Sequence, residues 1–473
     1  MTEVRRSRPL RGVAALAGVD EAEARRRFTG KRVLVRLGGD LSDDADARET
    51  FLFAVNLCLR FVDLAVETGD AELDAAAAAL ADEINGTPLA TGTPDVTLVV
   101  GKSVAHDTPT VVASSDGWLA RVATSASPVD TLPHPTGRAN VLGALGAACL
   151  GASQVFHFLA GVPLASEPVE LSLHTLAQGP LGTLAPGPPL PAGLELDALL
   201  VGCGGVMHGF VYTLKRLAVS GRARAVDRQR LRDENLGPYV LATLARRGVE
   251  KAKLVRDYLA PAVAVTAYDE DFYPLFTTRL DRGHFPLAPV VVAGLDRVTP
   301  RHIVQRLWPE LLIDMGAGGE TAQLIVKRRG STAACVLELL ERPAGEVDEL
   351  TRLSAESGFD PRSIRDEMDA PISANDVARA PVELRHAMEE ARRQGQLRCG
   401  FIRTRALDHE QGGDDFVAAV PYVVGFAGVV AAAELVKQLS EPSDGLRYQF
   451  SFASLRGRRV EPRTGDCECR LVS

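Results

Sequence analysis

Aromatic side chains are scarce in this chain, at 5% of 473 residues, which argues against stacking platforms for single-stranded nucleic acid. Surplus positive charge is lacking too. The 53 Lys and Arg are outnumbered by 61 Asp and Glu, for a net charge of −8, whereas binding a phosphate backbone favours the opposite balance. Seven cysteines are too few and too scattered for a disulfide scaffold. The Arg-rich start is broken by Asp20, Glu21 and Glu23, and no apolar segment of the secretory type comes after it. The expectation is a reduced, cytoplasmic protein that binds neither nucleic acid nor membrane.

Two uncharged stretches, Ala139 to Ser166 and Phe416 to Ala433, have the length of a bilayer span. Both are rich in Ala and Gly rather than Leu and Ile, and they carry Asn140, Gln154, His157 and Pro421. Each fits a helix buried against a sheet better than one in lipid. The remaining composition is that of an ordinary globular protein, 46% hydrophobic and 24% charged. The length suits two large domains or three smaller ones. Only seven of the basic residues are Lys, so a Lys in a motif-like place stands out.

Alternating apolar runs predict strands at Arg32–Leu37 and Asp95–Val100, and helices at Phe51–Glu67 and Asn140–Gly161. The run "GPLGTLAPGPPLPAG" cannot hold a helix and marks a connector over 170–195 between a first domain, 1–169, and the remainder of the chain. Beyond the connector, strands at Leu196–Gly205, Arg224–Asp227, Ala262–Tyr268 and Pro289–Asp296 alternate with helical sequence at Val206–Val219, Val240–Arg247, Glu250–Leu259 and Arg301–Leu307. Such alternation predicts an α/β fold with a mostly parallel, Rossmann-like sheet over 196–334. A strand at Thr321–Arg329, a helical insertion over 335–415 and a closing helix and tail over 416–473 complete the expected order.

The turn Gly202-Cys203-Gly204-Gly205-Val206-Met207 joins a strand to a helix. Glycines there let backbone N–H groups and the helix dipole approach a phosphate or ribose. Met207 stands where a dinucleotide fingerprint needs its third glycine, which disfavours a nicotinamide or flavin. Asp227 closes the second strand, where a carboxylate can accept from ribose hydroxyls. Asn235 lies in "DENL", Lys251 opens a helix in "GVEKAK", and Asp296 ends a strand in "VVVAGLDR". A Lys and a carboxylate converging on the carboxyl edge of a parallel sheet suit a triphosphate with Mg²⁺.

Taken in order, "GCGGVM", "AVD", "NLGPY", "VEKAK", "GLDR" and "IDMGAGG" resemble the adenylation domain of the ThiF/MoeB family, which includes ubiquitin-activating enzymes. The resemblance implies that Gly202, Gly204, Gly205, Asp227, Asn235 and Lys251 bind ATP and that Asp296 holds Mg²⁺. It implies a degenerate, inactive copy of the same fold in residues 1–169, paired with the active one within a single chain; a homodimer is compatible with it. The family's Arg after "NL" is Pro238 here, and Met207 replaces a turn glycine. Its members also use an arginine from a partner subunit, for which Arg25, Arg26 and Arg27 are candidates.

In the ubiquitin-activating branch a thiolate attacks the acyl adenylate. Cys58, Cys149 and Cys203 sit in apolar or turn positions that read as structural. Cys335, Cys467 and Cys469 are weak candidates for a structural zinc. Cys399 lies between Arg398 and Arg403, whose charge would lower a thiol pKa, ahead of the "VPYVVGFAG" helix. The resemblance therefore assigns Cys399 and Lys251 as catalytic. The implied partners are a ubiquitin-like protein and a conjugating-like enzyme, in a setting reminiscent of bacterial conjugation and antiviral defence. Two alternatives stand beside this: a sulfur-carrier or peptide adenylyltransferase without a thioester, and an inactive binding pseudoenzyme.

Overall fold

A computed structural model describes residues 3–38, 41–101, 108–127, 139–275, 287–341, 345, 347–368, 370–409 and 420–460. The amino-terminal half comprises α1 (Glu3–Ala17), α2 (Glu21–Phe28), β1 (Arg32–Leu37), α3 (Ala45–Leu59), β2 (Asp63–Glu67), α4 (Ala71–Asn85), β3 (Val96–Val100), β4 (Thr110–Asp116), β5 (Leu119–Thr124), α5 (Val141–Ala160), β6 (Val169–Ser172) and β7 (Gln178–Gly179). Its sheet has the order β2-β1-β3-β4-β5-β6-β7. The first three pairings are parallel and the rest antiparallel.

The second half begins with β8 (Leu194–Val201), α6 (Gly205–Leu214), β9 (Val219–Val226), α7 (Lys251–Leu259), β10 (Val263–Tyr268), α8 (Phe272–Leu275), β11 (Val290–Ala293), α9 (Val298–Gln305), β12 (Leu311–Gly318) and β13 (Thr321–Arg328). Short helices α10 (Val336–Leu339), α11 (Glu349–Ser357), α12 (Pro361–Asp366), α13 (Ala374–Arg379), α14 (Val382–Arg393) and α15 (Arg398–His409) come next, then α16 (Pro421–Ser440), β14 (Leu446–Ser451) and β15 (Arg456–Val460). The sheet order is β10-β9-β8-β11-β12-β13-β14-β15. Strands β8 to β12 pair in parallel, as strands joined by helical crossovers must.

The expected mixed α/β fold with largely parallel sheets is therefore present, and it occurs twice. In each half a central strand, β1 or β8, is flanked by the next strand on one side and by a parallel pair on the other. An antiparallel extension and a 20-residue apolar helix, α5 or α16, complete each half. These two helices are the stretches of membrane-span length. Both are packed inside the protein, with 89% and 83% of their most apolar windows buried. Their small residues permit close approach: a Cβ on Gly428 of α16 would lie 2.1 Å from the Phe210 nitrogen of α6. One apolar core, including Leu57, Phe156, Phe210 and Phe426, runs through both halves.

Several boundaries differ from expectation. The stretch Phe51–Glu67 is not one helix: α3 ends at Leu59, with Arg60 as its C-cap, and Asp63–Glu67 form β2 beside β1. Residues Val169–Ser172 and Gln178–Gly179, inside the proline-rich stretch, extend the first sheet. The helix from the glycine turn stops at Leu214, and β9 starts at Val219, earlier than Arg224. The stretch Val240–Arg247 is not an α-helix, and holds only the short 3₁₀ turn Leu244–Arg246. The carbonyls of Leu236, Val240 and Ala242 are bonded from another element instead.

Candidate nucleotide site

The glycine turn sits at the carboxyl end of β8, between the ends of β9 and β11. Gly202 has φ +78°, a conformation that glycine adopts without strain, and a Cβ there would lie 2.9 Å from the Gly294 carbonyl beyond β11. Gly204 is the N-cap of α6 and provides no side-chain cap, so the helix's opening N–H groups are presented as an anion site. Gly205 faces the Tyr239 ring, whose carbons would be 3.1 Å from a Cβ at that position.

Asp227 lies just after β9 and is fixed by two backbone donors: Cys203 N–H at 2.7 Å and Gln229 N–H at 2.7 Å. Burial raises its pKa, offset in part by Lys251 and these donors. Lys251, 3% exposed, opens α7. Its ammonium donates to Gln229 Oε1 at 2.5 Å and to the Tyr239 hydroxyl at 3.5 Å. Burial opposes its charge, but Tyr239 and Asp227 outweigh burial and raise its pKa. A charged lysine therefore stands beside the glycine turn, next to the carboxylate that the sequence marks for ribose.

Asn235 is buried, and its Oδ1 accepts the Arg232 N–H at 3.0 Å, closing its own 3₁₀ turn. Asp296 lies on the exposed end of the loop after β11, within electrostatic range of Arg301. Lys251 and Asp296 thus flank the turn from opposite sides, on the β9 and β11 edges of β8.

Of the arginines expected at 25–27, two are held locally. Arg26 and Arg27 pair with Glu23, and Arg27 also donates to the Ala160 carbonyl at the end of α5 at 2.5 Å. Instead α1 packs against the turn at Asp233–Asn235, and its Arg8 is close enough for its charge to act on Lys251. The sequence signal for Arg8 was present but indistinct, since Arg5, Arg6, Arg8 and Arg11 all occur in the same helix.

Two more residues shape the site, Arg60, which sequence reasoning missed, and His208, which it read as a helix-face residue rather than a ligand. Arg60, fully buried at the end of α3, donates to the carbonyls of Leu236 at 2.6 Å and Val240 at 2.8 Å. It thereby ties the Asn235–Tyr239 loop to the first half. His208, in the first turn of α6, packs edge-on against Tyr239 at 4.9 Å between ring centroids. Its ring lies within reach of the Cys203 backbone. Burial, aided by Lys251 and Arg60, pushes its pKa down to about 3, so the ring is neutral.

The cysteines separate clearly. Cys58, Cys149, Cys203 and Cys335 are buried, and burial raises the first three thiols above their usual range. The Cys335 N–H is capped by Glu338 Oε2 at 3.0 Å, an arrangement that serves α10. No cluster of three or more metal-ligating side chains occurs among the described residues; Cys467 and Cys469 lie outside them. Cys399, half-buried, sits in the first turn of α15. The Arg398 guanidinium, expected to act on this thiol, is also engaged by Asp376 at 2.9 Å and Glu367 at 2.8 Å. The Arg403 side chain lies outside the described residues. The insertion is anchored near the site: Arg228, next to Asp227, pairs with Asp271 at 3.3 Å, and Arg352 of α11 reaches the same carboxylate at 2.9 Å.

Fold and site together define a class: a doubly wound α/β protein with a glycine turn, a pinned carboxylate and a buried lysine at the switch point of its second sheet. No protein-family model matches the chain. A curated relative, the uncharacterized protein y4jF of Sinorhizobium fredii, is 30% identical over 259 residues, covering 52% of this chain and 46% of the relative. The chain thus spans less than half the length of that relative. Among solved structures, E. coli MccB with ATP is similar at 13% identity and TM-score 0.36, over 59% of this chain and 66% of that one. The Microcin C7 biosynthetic enzyme MccB in complex with N-formylated MccA is similar at 14% identity and TM-score 0.38, over 59% and 67%.

Proposed function

We propose that this chain activates the terminal carboxylate of a peptide or protein by ATP-dependent adenylation, as its ThiF/MoeB-type motifs imply. The observation that carries the reading is Lys251: a buried ammonium, kept charged by Tyr239 and Asp227, beside an uncapped helix N-terminus. Few folds keep an ammonium out of water unless an anion is to meet it. In this reading Asp227 accepts from the ribose hydroxyls and the α6 N–H groups hold phosphate oxygens. Lys251 stabilises the negative charge that gathers on pyrophosphate as the carboxylate attacks the α-phosphorus.

Mg²⁺ ordinarily takes one or two protein carboxylates and fills its shell with water and phosphate oxygens. The single exposed carboxylate of Asp296 at the sheet edge fits that donor set and would hold the ion. When bound, it supplies further neutralisation of the triphosphate.

The finer reading is that of a ubiquitin-like-protein activating enzyme. Cys399 would attack the adenylate, form a thioester and pass the acyl group to a conjugating-like enzyme. It is supported by the tie of α11 to the edge that carries Asp227, with α15 packed against α11. The first half would then be the inactive copy, since its counterpart turn lacks the glycine set. A second reading, an inactive binder, is favoured by Tyr239, whose ring stands over Gly205 and Lys251.

The test is ATP–pyrophosphate exchange with candidate ubiquitin-like and peptide substrates. Lys251→Ala should abolish exchange; exchange at the wild-type rate would remove the site assignment, and no exchange by the wild-type chain with any substrate supports the binder. Cys399→Ser should retain exchange and lose a thiol-sensitive adduct. An adenylate with no adduct in the wild-type chain identifies an enzyme that stops at the first step.

A further inference from the structure

The first half has a counterpart of the nucleotide site. Strand β1 corresponds to β8, and the ends of β3 and β4 correspond to those of β11 and β12. At this edge lies a cavity of about 100 Å³, lined by Asp44, Asp46, Thr50, Gly101, Ser114 and Asp116. It is far smaller than the several hundred Å³ that a nucleotide fills, but it admits an ion or the end of an aminoalkyl chain.

Its electrostatics are the reverse of the glycine turn. The helix that opens here, α3, is capped by Asp44, which accepts the Ala47 N–H at 2.8 Å, and Asp46 lies in its first turn. Both carboxylates add negative charge where an anion would otherwise be welcome. Neighbouring acids already have cations: Asp116 has Arg121 at 3.5 Å and Glu49 has Arg216 at 2.5 Å. Asp46 differs. It accepts the Asn140 N–H at 2.6 Å, and no cation pairs with it among the described residues. Burial, with repulsion from Asp44, Glu49 and Asp116, pushes its pKa up to about 6.

A second, independent feature points to a ligand. Ser114 is 6% exposed, lines the same cavity, and its hydroxyl has no hydrogen-bond partner among the described residues. A buried hydroxyl without a partner costs about 1–3 kcal/mol, so its lone pairs mark a place for a bound group. Divalent ions call for more oxygen ligands or a rigid shell, and no cluster of three or more metal-ligating side chains occurs among the described residues.

We propose that this cavity binds a monovalent cation of ammonium size, held by the Asp46 carboxylate and the Ser114 hydroxyl. The cation is either a free ion or the ammonium end of a larger ligand. The inference is independent of adenylation.

The test measures the thermal midpoint of the full-length chain in potassium, rubidium, ammonium or methylammonium chloride, with tetramethylammonium chloride holding ionic strength constant. A saturable rise of a few degrees is expected. Asp46→Asn, whose amide oxygen can still accept from Asn140, should weaken the apparent affinity at least tenfold, and Ser114→Ala severalfold. Saturation by potassium and rubidium as well as ammonium identifies a free ion; saturation by ammonium and methylammonium alone identifies an amine end. Either result upholds the site. A response no greater than that to tetramethylammonium, or one that both variants leave unchanged, overturns it.

Discussion

Replacing Arg60 with Met tests how the first half governs the site in the second. The guanidinium donates to the carbonyls of Leu236, Val240 and Ala242, at 2.6, 2.8 and 3.3 Å, and to Asn56 Oδ1 at 2.9 Å. Asn56 adds a bond to the Val240 carbonyl at 3.2 Å. Removing the cation leaves buried acceptors short of donors, each worth roughly 1–3 kcal/mol. Against this, an arginine with no carboxylate partner among the described residues carries a desolvation cost of several kcal/mol. That cost appears as a pKa pushed down to about 9. The two effects partly cancel, and the expected net loss is about 3 kcal/mol. The loop that carries Asn235 and Tyr239 should loosen at the same time, raising the KM for ATP severalfold. Chemical denaturation and pyrophosphate exchange at varied ATP measure both. An Arg60→Met variant with the wild-type denaturation midpoint and the wild-type KM would refute the reasoning, because the loop would then be held by other contacts.

Gly428→Ala should cost 3 kcal/mol or more, about the upper range for overpacking, since its Cβ would meet the Phe210 and Gly209 backbone at 2.1 and 2.3 Å. Gly318→Ala, with nothing within 4 Å of the new Cβ, is the neutral control in the same denaturation assay. His208 makes the chain acid-sensitive. Unfolded, its ring takes a proton near 6.5; folded, not until about 3. The unfolded state therefore binds more protons between those values, and stability falls as pH drops through that window, by at most roughly 4–5 kcal/mol. His208→Leu should flatten the slope in denaturation curves taken across that range; parallel curves for variant and wild type would show that the ring is not held neutral.

Much of this architecture is written locally. Alternating apolar residues mark β1, β3, β8 and β10, because a strand buried on one or both faces needs them in register. The glycines at 202, 204 and 205 announce a turn that no other residue fits as easily, and Asp227 ends the next strand at a fixed distance from it. Lys251 stood out because lysine is rare in the chain. The long helices α5 and α16 were legible as buried elements from their small residues and their polar interruptions.

Other features depended on partners distant in sequence. The stretch Phe51–Glu67 divides into a helix and a strand after Arg60, whose carbonyl acceptors lie some 180 residues away. The 240–247 segment has helical composition, but its Val240 and Ala242 carbonyls are taken by that guanidinium, and propensity yields when tertiary bonds satisfy the backbone better. Arg8 comes within electrostatic range of Lys251 because α1 packs against the Asp233–Asn235 turn, a proximity that charge density along the sequence does not disclose. Likewise Arg398 lies beside Cys399 in sequence, and its guanidinium is also engaged by Asp376 and Glu367. The sequence alone determined which residues can form a glycine turn at the carboxyl edge of a sheet, since spacing and backbone freedom are local. Only the tertiary structure decided which charges remain available there, because a charge is available or neutralised according to neighbours that the chain brings from far away.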